Sequence, residues 1–122
     1  MKLHWRYFLP KSSANGPGNR CVLWLQGCSI GCEGCCNPAL QNSTEGFWNS
    51  VLTVFKKIEA AAGSVDGITI SGGEPFQQPD ALYDLLLKIN KRTSLSVLVY
   101  SGYEKETLLS DPQYRKCLHL ID

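Results

Sequence analysis

The apolar residues of this chain change period several times, and each change marks an element. Residues 3–8 alternate loosely, with Leu3, Trp5 and Tyr7 on one side, which is the two-residue period of a short edge strand. Residues 11–20 read KSSANGPGNR and hold Gly16, Pro17 and Gly18, so a loop is expected there. A continuous apolar run at 22–25 predicts a strand buried on both faces. Val51, Val54, Phe55, Ile58 and Ala62 recur at three- and four-residue intervals and predict a helix over 47–62 that stops at Gly63.

Residues 67–71 read as a second buried strand. Leu82, Leu85, Leu86 and Ile89 form another helical stripe within 79–91, and Pro79 and Asp80 suit its first turn. A third strand follows at 95–100, then a short helix within 104–116 broken near Pro112, then the start of one more strand at 118–121. Strand and helix alternate throughout. The expected fold is therefore α/β, an incomplete β/α barrel with a parallel sheet of four to five strands and outer helices, its ligand chemistry at the C-terminal strand ends. At 122 residues the chain is one domain by size, short of the roughly 250 residues of a closed eight-fold barrel.

Charge narrows the partners. Twelve Lys and Arg against eleven Asp and Glu leave a formal charge of +1, so no overall field favours nucleic acid or an anionic membrane. No apolar run is long enough to span a bilayer. His4, Trp5 and Arg6 interrupt residues 1–10 where a secretory signal needs an apolar core, so a cytoplasmic protein is expected.

Cysteine is the abnormal component. Six occur, at 21, 28, 32, 35, 36 and 117, and four of them fall within nine consecutive residues. In a reducing compartment such clustering points to metal binding or redox chemistry, not to disulfides. Cys28, Cys32 and Cys35 are separated by three and then two residues, just after a predicted strand, and Gly31 and Gly34 argue for a loop over a helix. Such a loop can curl round an iron–sulfur cube with its amides free to donate to sulfur. Three thiolates on four irons leave one iron open, as a reacting centre requires. The alternative is a zinc site completed by Cys36, Cys21, Cys117 or a histidine. Cys36 directly follows Cys35, and adjacent side chains point in different directions, so it is expected to line the pocket, whereas Cys21 and Cys117 read as small buried hydrophobes.

The cysteine spacing, the upstream run Asn15, Gly16, Pro17, Gly18 and Arg20, and the downstream run Ser71, Gly72, Gly73, Glu74 and Pro75 resemble the radical S-adenosylmethionine (SAM) enzymes. Within them the chain is most similar to the glycyl-radical-enzyme activases, in particular the anaerobic ribonucleotide reductase type, over nearly its whole length. The resemblance implies a 4Fe-4S cluster on Cys28, Cys32 and Cys35, with Gly34, Cys35, Cys36 and Asn37 close to bound SAM. It implies that Gly72, Gly73 and Glu74 form the turn holding the methionine amino group, and that Ser101 meets ribose or the methionine carboxylate. Relatives usually carry Tyr or His where this chain has Cys36, and they run on past 118–122, so the chain is expected to be a radical SAM domain truncated at its C-terminal end. The implied reaction is reductive cleavage of SAM to a 5′-deoxyadenosyl radical. That radical takes a glycine α-hydrogen from a partner glycyl radical enzyme, with electrons from a low-potential donor such as flavodoxin or ferredoxin. Three other readings remain: a radical SAM enzyme for another peptide or small molecule, an iron–sulfur electron carrier that does not cleave SAM, and a zinc-stapled interaction domain.

Overall fold

A computed structural model of the chain describes residues 1–14, 16–26 and 46–122. Its elements are β1 (Lys2–Ser12), β2 (Arg20–Leu25), β3 (Phe47–Ser50), α1 (Val51–Ala61), β4 (Gly67–Gly72), α2 (Pro79–Arg92), β5 (Ser96–Val99), α3 (Lys105–Ser110) and α4 (Pro112–Leu118). The five strands form one sheet in the order β3-β1-β2-β4-β5.

β2, β4 and β5 are parallel, in the register Cys21↔Ile68 and Leu23↔Ile70 for β2 with β4 and Ile68↔Val97 for β4 with β5. β1 runs antiparallel to both β2 and β3. The sheet is therefore mixed, and the fold is α/β with a five-stranded mixed sheet instead of the expected parallel barrel segment. The three strands read as buried do pair in parallel; the antiparallel part comes from β1 and from a strand the periodicity concealed.

That strand is β3. Residues 47–62 were expected to form one helix, but Phe47 to Ser50 pair with β1, setting His4 opposite Trp48 and Trp5 opposite Phe47. The His4 and Trp48 rings stack at 4.2 Å, and the indole of Trp5 donates to Asn49 Oδ1 at 2.9 Å. Cross-strand aromatic pairs of this kind stabilise a ladder. The helix begins only at Val51, after Ser50 Oγ accepts from Thr53 N at 3.1 Å as its N-cap. With β3 outside it, β1 is an inner strand, not the expected edge.

Alternate residues of the strands face the helices. Leu3, Cys21, Leu23, Leu25, Ile68, Ile70 and Val97 pack against Val54, Phe55 and Ile58 of α1 and Leu82, Leu85, Leu86 and Ile89 of α2. Residues 118–121 do not form a strand. Asp111 accepts from Gln113 N at 3.0 Å and starts α4 at Pro112, and the helix runs to Leu118 before Leu120 N closes a turn on Cys117 O. The last residue still reaches β5, where Asp122 N donates to Val97 O at 3.1 Å. Among the described residues no helix is long and apolar enough to cross a membrane.

Candidate functional site

The parallel strands bring three chain segments to one end of the sheet. Leu25, the last residue of β2, is in register with Gly72, the last of β4, and Gly73 N donates back to Leu25 O at 2.9 Å. Tyr100 N donates to Ile70 O at 2.9 Å, which carries β5 to the same end and delivers Ser101 and Gly102 there. Gly72 has φ +106, and a Cβ on it would collide with the backbone of Leu25. Only glycine lets the chain turn this close to β2.

Glu74 fastens the two turns together. Its side chain is fully buried, Oε2 accepts from Phe76 N at 2.8 Å, and Oε1 accepts from Ser101 Oγ at 2.8 Å and Gly102 N at 2.7 Å. Ser101 Oγ also accepts from Tyr103 N at 3.0 Å. The structure thus unites four residues expected in the site: Gly72, Gly73, Glu74 and Ser101. It spends the Glu74 carboxylate and the Ser101 proton on the protein itself. What this end of the sheet presents outward is the half-exposed Gly72–Gly73 backbone, with a buried negative charge behind it.

Cys28, Cys32, Gly34, Cys35, Cys36 and Asn37 lie outside the described residues. Cys21 and Cys117 are fully buried, and burial pushes each thiol up to about 11. Both pack as core hydrophobes, their sulfurs near the carbonyls of Gly67 and Pro79. Among the described residues no three or more His, Cys, Asp or Glu side chains are grouped to hold a metal ion. Thiolates are the donor type that an iron–sulfur cluster takes, and the cysteine motif begins two residues after Gln26, where β2 ends beside the Gly72 turn.

The Gly16–Arg20 run lies at the other end of the sheet. Arg20 is buried, and its guanidinium donates to Thr69 Oγ1 at 2.9 Å, Ser96 Oγ at 2.9 Å, Ile68 O at 2.9 Å, Ser96 O at 3.0 Å and Pro17 O at 3.3 Å. One side chain so ties the loop to the first turns of β4 and β5. Gly18, at φ +74, passes Asp66 with no room for a side chain, and Asp66 Oδ2 accepts from Asn19 N at 3.1 Å. Sequence reasoning did not find this lock. Its partners come from two strands and the loop, β4, β5 and Pro17, and the sequence showed only the glycine-rich run and an arginine at the head of an apolar strand.

Comparison with known proteins matches residues 14–122 to the 4Fe-4S single cluster domain. The anaerobic ribonucleoside-triphosphate reductase-activating protein of Haemophilus influenzae is 25% identical over 98% of this chain and 80% of its own length. Its counterpart from Enterobacteria phage T4 is 30% identical over 81% of this chain and 66% of its own. The pyruvate formate-lyase-activating enzyme of Clostridium pasteurianum is 32% identical over 73% of this chain, which spans only 39% of that enzyme.

Proposed function

Because the chain belongs to the 4Fe-4S single cluster domain family and is of the glycyl-radical-enzyme activase type, we propose that it installs a glycyl radical on a partner enzyme of the anaerobic ribonucleotide reductase type. The observation that carries the reading is the junction of β2 with the Gly72–Glu74 turn: the chain leaves the sheet for the cysteine motif beside the turn that Glu74 locks to Ser101. The names of the relatives support the partner class.

In this proposal residues 1–122 act as one radical SAM unit, with Cys28, Cys32 and Cys35 as the cluster ligands. Gly34, Cys35, Cys36 and Asn37 flank the SAM. When bound, the reduced cluster would supply one electron to the sulfonium of SAM, whose C–S bond would break to methionine and a 5′-deoxyadenosyl radical able to take the α-hydrogen of a partner glycine. The protein contributes position and exclusion of water. The Gly72–Gly73 backbone offers carbonyls to the methionine ammonium. Glu74 keeps those carbonyls in place through its three donors, and its buried charge favours a cation there. Ser101, held by Glu74, sets the wall on the β5 side. The electron comes from a low-potential donor of the flavodoxin or ferredoxin kind, and the protein works in the cytoplasm.

The test is anaerobic reconstitution with iron and sulfide, addition of SAM and a strong reductant, and quantification of 5′-deoxyadenosine with and without an anaerobic reductase from the same source. Formation that rises with the reductase is expected. No 5′-deoxyadenosine from a chain that holds its iron would instead indicate an electron carrier. Acceleration only by a small molecule or short peptide would indicate another radical SAM substrate.

A further inference from the structure

Gln78 belongs to none of the groups assigned above, yet its side-chain amide joins three segments. Oε1 accepts from His4 N at 2.8 Å, while Nε2 donates to His4 O at 2.9 Å and, more weakly, to Gln26 O at 3.4 Å. Gln26 N donates to the same His4 carbonyl at 3.1 Å. A primary amide offers an N–H and a C=O side by side, so it reads the extended backbone of His4 as a further strand residue would. His4 and Gln26 are buried, which makes each of these backbone partners costly to lose. Gln78 precedes α2 and follows the short 3₁₀ turn Pro75–Gln77, whose first amide pair is fixed by Glu74.

We propose that Gln78 is a positioning residue for the iron–sulfur segment. It fixes the backbone at Gln26, two residues before Cys28, to the body that carries the Gly72–Glu74 turn, and so sets one end of the cysteine loop against the SAM turn. The inference rests on the reading of Cys28, Cys32 and Cys35 as cluster ligands. Without the amide, the carbonyls of His4 and Gln26 each lose a donor, and Gln26 loses its side-chain tie to the body that carries α2, keeping its own N–H bond to His4 O. Groups that orient ligands from behind typically change metal retention or activity about 10–100-fold.

The experiment uses the full chain reconstituted anaerobically with ferrous iron and sulfide. Iron release to a chelator and the cluster's reduction potential are measured for the parent, Gln78→Leu, Gln78→Glu and Ser96→Ala. Gln78→Glu keeps an acceptor for His4 N but has no donor for the two carbonyls, so it decides the matter if Gln78→Leu fails to fold. Ser96→Ala removes an Arg20 acceptor at the far end of the sheet. Both Gln78 variants should release iron about tenfold faster with a shifted potential, while Ser96→Ala releases at the parental rate despite a lower melting temperature. Parental release and potential in a folded Gln78 variant overturns the proposal, as does equally fast release from Ser96→Ala. A parent chain that takes up no iron overturns the cluster reading itself, a result distinguishable because there is then no release to compare.

Discussion

The hydroxyl of Ser101 donates to Glu74 Oε1 at 2.8 Å, so the turn after β5 is fastened to the turn after β4 by a carboxylate that solvent does not reach. Gly102 N shares that oxygen at 2.7 Å, and Phe76 N takes the other at 2.8 Å. Three donors on one buried anion make the two turns a single rigid element.

Replacing Glu74 by Gln should break this element while preserving its volume. The new NH2 group must face either Phe76 N–H or the Ser101 and Gly102 donors, which sets donor against donor. A loss of about 1–3 kcal/mol in denaturant unfolding is expected, together with weaker SAM binding. Unchanged stability would mean that Glu74 does not act as a clamp.

Two glycines should respond in opposite ways to alanine. At Gly72 a methyl group meets the Leu25 backbone at φ +106, so Gly72→Ala should cost more than the about 1–3 kcal/mol of backbone strain alone. At Gly63 nothing lies within 4 Å of the new Cβ, and Gly63→Ala should be neutral or stabilise by up to about 1 kcal/mol. Thermal unfolding of the two variants checks both.

Arg20→Lys keeps the charge but loses the planar fork that reaches Thr69, Ile68 and Ser96 together. With several buried acceptors left short of a donor, a loss of about 2–4 kcal/mol is expected. The far end of the sheet is unaffected, so SAM affinity of the folded fraction should stay parental. A large change in that affinity would place Arg20 in the site and not in the lock.

Burial raises the Cys21 and Cys117 thiols to about 11 from an ordinary 9.0. The native state therefore holds protons that the unfolded chain releases first. Their contribution to stability is intact below pH 9 and is lost as pH rises from about 9 to about 11. Melting temperatures across that range should fall for the parent, and less for a Cys21→Ala, Cys117→Ala double variant. At pH 8 both thiols should resist alkylation in the folded protein and react on unfolding, which mass spectrometry reads directly.

The helical stripes of α1 and α2 and the three parallel strands were legible because each buries a face with its own period. β3 was not, since Phe47 and Trp48 adjoin the α1 stripe and only pairing with His4 and Trp5 reveals them as a strand. The apolar residues of 118–121 looked like a strand, but the Asp111–Pro112 start committed them to a helix end and a turn. In the site, the glycine turn was legible as a motif, whereas the destination of the Glu74 carboxylate was not. Its partners include Ser101 and Gly102, brought near only by the β4–β5 register. Gln78 and the partners of Arg20 escaped for the same reason, since each side chain reaches groups more than 45 residues away in sequence.

If the chain works as proposed, it leaves a radical on a glycine of another protein. The most direct measurement is electron paramagnetic resonance of an anaerobic mixture of the reconstituted chain, SAM, a reductant and an anaerobic ribonucleotide reductase from the same source. A glycine-centred doublet is expected only when all four are present, and it is lost in Cys32→Ala. A chain that cleaves SAM in that mixture without producing the doublet would contradict the proposal.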